Sequence, residues 1–108
     1  MTAIKFIDPV TAKLWLDNNE AVMVDVREPG EYQAAHIAGA TLIPLATLRH
    51  DLLPELGNKK LIVHCMFGKR GGTACEILSM DDPALEVYNL EGGLTAWENA
   101  GLKVIRSG

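Results

Sequence analysis

The run Ala21-Val22-Met23-Val24-Asp25-Val26 narrows the possible folds of this chain more than any other feature. Its residues are apolar in near-continuous order, half of them β-branched, instead of alternating with polar ones. A strand made from it has no face suited to water and needs cover on both sides. Leu61-Ile62-Val63-His64 has the same character. Strands buried on both faces belong to parallel sheets, whose strands are joined by crossover helices.

Helical patterns fill the intervals. Asp8 before Pro9 reads as an N-cap with proline in the first turn, and Val10, Leu14 and Trp15 supply an apolar face up to Asn18-Asn19. Thr41-Leu42-Ile43 before Pro44 reads as a strand, followed by a short helical stretch around Leu45 to Leu53. A helix from about Gly71 to Met80 carries Ala74, Ile77 and Leu78 on one side. A strand over Leu85 to Leu90 and a helix over Leu94 to Ala100 complete the pattern. The alternation predicts an open α/β domain. With 108 residues, 48% of them hydrophobic, and no repeat or Pro/Gly/Ser-rich linker, residues 1–108 are expected to form one domain that needs no disulfide or metal support.

A formal charge of -4 argues against nucleic acid or an anionic membrane as partner, since both reward a basic surface. No segment approaches the roughly 18 apolar residues of a membrane span, and Met1 to Pro9 has no basic stretch leading into an apolar run. A cytoplasmic protein is expected, with no membrane partner within this chain. Two cysteines, Cys65 and Cys75, are too few for a disulfide scaffold and lack zinc-site spacing. The acidic residues are scattered, so neither a metal nor another cofactor is expected.

The chemistry concentrates in Val63-His64-Cys65-Met66-Phe67-Gly68-Lys69-Arg70-Gly71-Gly72, where a buried strand passes through a cysteine into a helix start. Sites in open α/β sheets form at such carboxyl ends of strands. Loop N–H groups and the positive end of the following helix dipole favour an anion, and Lys69 and Arg70 add charge, so Cys65 is expected to be a thiolate near neutral pH. Gly68 and Gly71-Gly72 let the backbone curl its N–H groups around whatever sits on the sulfur.

The segment Cys65 to Arg70 resembles the six-residue C-x-x-G-x-R active loop of rhodanese domains. Val24 to Tyr32, then His36-Ile37-Ala38-Gly39-Ala40 with Ile43-Pro44, is similar to the family's upstream signature, and Leu90 to Trp97 to its C-terminal one. The resemblance covers nearly the whole chain. Two positions depart from it: Ala35 stands where glycine often precedes the histidine, and Gly71 where Ser or Thr often follows the loop arginine.

The resemblance implies a rhodanese-like open sheet of about five mostly parallel strands with helices on both faces. It implies a sulfurtransferase in which Cys65 takes the outer sulfur of a donor such as thiosulfate, holds it as a persulfide, and passes it to cyanide, a thiol or a protein. Arg70 joins Cys65 as a catalytic residue, offering a forked contact to the leaving anion. Met66, Phe67, Gly68, Lys69 and Gly71 bind substrate, Met66 and Phe67 as an apolar lip. The partners are a small anionic donor, thiosulfate or a persulfide, and a thiol or protein acceptor. The chain itself is expected to be a monomer or weak homodimer. Backbone donors around a persulfide sulfur stabilise its charge without a general base.

Two alternatives stay open. A cysteine-dependent phosphatase or arsenate reductase sets a cysteine and an arginine in a similar anion loop, but a C-x5-R loop would put arginine at position 71, which here is Gly71. A rhodanese-like interaction module is the other, and Cys65 weighs against it. Elsewhere the simpler assignments are structural. Cys75 reads as a buried helix residue, Asp25 and Arg27 as an ion pair or loop anchor, His36 and His64 as satisfied structural groups. Glu91-Gly92-Gly93 reads as a turn and Trp97 as core.

Overall fold

The computed structural model describes residues 4–107 as β1 (Lys5–Ile7), α1 (Pro9–Asp17), β2 (Ala21–Asp25), α2 (Pro29–Ala34), β3 (Ala35–His36), β4 (Thr41–Leu42), β5 (Lys60–His64), α3 (Lys69–Asp81), β6 (Val87–Leu90), α4 (Gly93–Asn99) and β7 (Ile105–Arg106). Five strands form one wholly parallel sheet in the order β1-β6-β5-β2-β4. β3 and β7 pair antiparallel beside it, Ala35 opposite Arg106 and His36 opposite Ile105. The two apolar runs are thus the neighbouring strands β2 and β5, in register from Ala21 opposite Lys60 to Asp25 opposite His64.

Strand residues alternate between two cores, which is why these runs are apolar throughout. Met23 and Ile62 face one core with Ala12 of α1 and with Leu94 and Trp97 of α4. Val24, Leu61 and Val63 face the other, with Ala74, Cys75 and Leu78 of α3. Helices therefore cover both faces, as expected. Trp97 is buried and donates its indole N–H to the Lys103 carbonyl at 2.9 Å. From β2 the chain continues outward to β4, and from β5 in the opposite direction to β6. Cys65 follows β5 at this reversal of direction, where open α/β sheets place their ligands.

Asp8 caps α1, its carboxylate accepting from the Thr11 amide at 3.1 Å. The helix presents a different face from the expected one. Val10 and Leu14 are exposed, and the buried position is Ala12, flanked by half-buried Trp15 and Leu16. A residue with no side chain beyond Cβ lets α1 lie close to the sheet. The stretch from Leu45 to Leu53 contains two single 3-10 turns, Leu45–Thr47 and His50–Leu52, in place of one helix. The fifth strand, β1, is three residues long.

Candidate active site

Cys65 is 1% exposed. Gly68 turns the chain with φ +111°, a conformation open to glycine, and its N–H donates to Cys65 Sγ at 3.0 Å. The Gly71 N–H donates to the same sulfur at 3.3 Å. Gly71 lies in the first turn of α3, whose amides have no partner within the helix, so the sulfur receives both the helix dipole and two directed donors.

The loop rests on the next strand and helix. The Leu94 amide donates to the Cys65 carbonyl at 2.8 Å and the Thr95 amide to the Met66 carbonyl at 3.1 Å, so the first turn of α4 holds the loop's outward-turned carbonyls. Gly93 makes that approach possible: a Cβ there would lie 2.4 Å from the Cys65 oxygen and 2.6 Å from the Met66 oxygen. Asn89 of β6, buried, donates from Nδ2 to the Gly68 carbonyl at 2.9 Å. Its Oδ1 has no hydrogen-bond partner among the described residues, an arrangement that costs about 1–3 kcal/mol. A Cβ on Gly71 would lie 2.2 Å from that oxygen, which accounts physically for a glycine at this position.

Arg70 does not present a free fork. Its Nη1 and Nη2 donate to Oε1 and Oε2 of Glu31 at 2.7 and 2.9 Å. Glu31 also accepts from the Glu28 amide at 3.0 Å, which fixes the carboxylate at the start of α2. The hydrogen bonds from Arg70 hold the Glu31 carboxyl down at about 2, and the same contact raises the Arg70 pKa. An incoming anion therefore meets an arginine whose charge is already balanced, in contrast to the expected forked contact with sulfite. Lys69 is exposed.

Met66 also departs from expectation. It is half-buried and packs against the core that contains Trp97, while Phe67 is 72% exposed. Phe67 alone of the two stands out at the loop surface, and Met66 anchors the loop from beneath.

Below the loop, Arg27 and Asp25 form a buried pair. Nη2 meets Oδ2 at 2.7 Å, Nε meets Oδ1 at 3.0 Å, and Arg27 also reaches the Ala35 carbonyl at 2.7 Å. This ties the end of β2 to β3 and matches the structural assignment. Burial lowers the His64 pKa; Nδ1 sits 3.3 Å from the Cys65 carbonyl, while Nε2, 3.5 Å from Asp25, has no hydrogen-bond partner among the described residues, so the ring is only partly satisfied, in contrast to the expectation. His36 stacks on Tyr32 at 4.1 Å and its Nδ1 lies 2.9 Å from the Tyr32 carbonyl. Burial pushes the Cys75 thiol up to about 12, leaving it an unreactive core group.

The structure thus gathers Cys65, Gly68 and Gly71 around the sulfur and sets Arg70 at the rim. Sequence reasoning missed Glu31, Asn89, Gly93, Leu94 and Thr95 as supports of the loop. Glu31 and the Gly92-Gly93 pair sit inside the quoted signatures, but nothing local marks what they touch.

Residues 8–100 match the Rhodanese-like domain family, and the chain belongs to that family. The thiosulfate sulfurtransferase GlpE of Pseudoalteromonas translucida is 32% identical over 98 residues, an alignment covering 91% of this chain and 92% of GlpE. The uncharacterized protein slr1261 of Synechocystis sp. is 34% identical over 102 residues; there the chain spans 94% of its own length and 56% of the relative's. Among solved structures, a rhodanese-related protein from Thermoplasma volcanium superposes with a TM-score of 0.78 at 31% identity, covering 94% of this chain and 97% of that one. Likeness to named sulfurtransferases at about this identity supports sulfur transfer as the general activity.

Proposed function

We propose that residues 1–108 work as one rhodanese unit that moves a sulfane sulfur from a small anionic donor, thiosulfate or a persulfide, to a thiol, cyanide or protein acceptor through a persulfide on Cys65. One observation carries this: the Cys65 sulfur is the common acceptor of the Gly68 and Gly71 amides at the start of α3. In the first half-reaction the Cys65 thiolate bonds to the donor's outer sulfur, and the donor's S–S bond breaks. With thiosulfate, sulfite leaves with the bonding pair and the charge stays on the terminal persulfide sulfur. In the second, an acceptor nucleophile bonds to that sulfur and the Cys65 thiolate departs, so no oxidant, base or cofactor is required.

The two amides are set before reaction and favour the anion at either stage. Burial of Cys65 to 1% exposure also favours a slim terminal sulfur over a bulky phosphate ester. Gly68 and Gly71 supply the donors, Met66 anchors the loop, and Phe67 and Lys69 are its exposed side chains, open to an incoming donor or acceptor. Arg70 lends rim charge in proportion to how far its contact with Glu31 opens. Among the described residues no helix is long and apolar enough to cross a membrane, and a cytoplasmic setting is part of the same proposal.

Thiocyanate formation from thiosulfate and cyanide tests the function. Wild type is expected to turn over and Cys65→Ser to fall to background, while Arg70→Ala raises KM for thiosulfate more than it lowers kcat. Equal turnover by the serine variant would refute the nucleophile. Hydrolysis of phosphate esters, or reduction of arsenate to arsenite by an added thiol, with no sulfur transfer would move the chain to the phosphatase-like alternative.

A further inference from the structure

Asn89 is chemically out of place in the core. It is 2% exposed on the interior strand β6, one of its two polar atoms has no partner among the described residues, and Val87 and Leu90 of the same strand are apolar core residues. One hydrogen bond from Nδ2 does not recover the cost of the orphaned Oδ1, so an apolar residue of the same shape would serve folding at least as well. What the amide does achieve lies at the loop. Nδ2 grips the carbonyl of Gly68, whose own N–H points at Cys65 Sγ, and Oδ1 presses where a side chain on Gly71, the second donor residue, would stand.

We propose that Asn89 is a positioning residue for the sulfur cradle, fixing Gly68 and Gly71 so that their amides converge on Cys65, a role that rests on the sulfur-carrier function proposed above. Gly71 and Asn89 then form a matched pair. The Gly68 carbonyl also accepts the Gly72 amide at 3.1 Å, so the grip sets the first turn of α3 as well as the loop. Without it, Gly68 at φ +111° has the freedom of a glycine and its N–H can swing off the sulfur. Substrate never touches Asn89, which acts only through the backbone.

The test compares wild type, Asn89→Leu, Asn89→Ala, Gly71→Ala and the Gly71→Ala/Asn89→Ala double variant. Rates of iodoacetamide alkylation at Cys65 are followed across pH, with persulfide formation from thiosulfate measured separately by intact mass. Asn89→Leu is expected to keep wild-type thermal stability, to shift the alkylation profile to higher pH, and to load sulfur about tenfold more slowly, the scale of a lost hydrogen bond to a charged sulfur. Gly71→Ala is expected to show a similar or larger loss, because its methyl meets Oδ1. The double variant is expected to fall only to the level of Asn89→Ala, because removing the amide removes the collision.

An unchanged alkylation profile in a stably folded Asn89→Leu, or losses that multiply in the double variant, would overturn the proposal. Absence of sulfur loading in wild type would instead strike the sulfur-carrier function, while the alkylation profiles would still judge the cradle. If Asn89→Leu fails to fold, Asn89→Ala and the double variant carry the same comparison.

Discussion

Replacing Glu31 by Gln changes one atom in shape and removes the charge that occupies Arg70. In the native protein the Glu31 carboxyl is held at about 2 against an ordinary value of 4.5. That displacement corresponds to about 3 kcal/mol at 1.36 kcal/mol per pH unit. The two side chains are 30% and 37% exposed, so solvent screening cuts the contribution to about 1 kcal/mol. For a domain of this size the loss should lower Tm by about 5 °C. A folded-state pKa below the unfolded one stabilises above the unfolded pKa and loses that stabilisation as pH falls through the folded value. The gap between wild type and Glu31→Gln should therefore be full from pH 7 down to about 4.5 and shrink toward zero near pH 2. Urea unfolding at pH 7, 4 and 2.5 would measure it. The variant should also show a lower KM for thiosulfate, because the guanidinium fork is released to an incoming anion. A stability gap that is absent at pH 7, or undiminished at pH 2.5, would refute the link between Glu31 and Arg70.

Three further variants have outcomes set by the space or burial around the residue replaced. Gly93→Ala combines φ +60° with a methyl 2.4 Å from the Cys65 carbonyl, and should cost about 2 kcal/mol or more in urea unfolding and nearly abolish sulfur uptake. Gly39→Ala is its control: φ is +83° but the space around it is open, so about 1 kcal/mol of stability should go with activity retained. Cys75→Ala, at a thiol raised to about 12 by burial, should leave sulfur loading within twofold of wild type in the same mass assay and cost about 1 kcal/mol for the small cavity.

Local sequence revealed what local physics decides. The strands β2 and β5 were readable because both of their faces are buried, and the start of α1 because Asp8 and Pro9 perform a capping function within four residues. The turn that brings two amides onto the Cys65 sulfur was legible because glycines and a helix start follow the cysteine at once. The edge strand β1 was not, since three residues hold no period. The β3–β7 pair was not, since its partners lie seventy residues apart. The large apolar residues of α1 point to the wrong face, because close contact with a sheet selects the small Ala12 and leaves Val10 and Leu14 in solvent. At the site, the fork of Arg70 was assigned to substrate because its partner is 39 positions away. Asn89 carries no mark of its role, since an amide in a strand becomes informative only when its second polar atom is seen to lack a partner.

Intact-protein mass spectrometry after incubation with thiosulfate in the absence of reductant tests the central claim most directly. Wild type should gain the mass of one sulfur atom, Cys65→Ser should gain none, and cyanide or a thiol should return wild type to its starting mass. Sulfur uptake that persists in Cys65→Ser, or a wild type that takes up none while Cys65 still reacts with iodoacetamide, would contradict it.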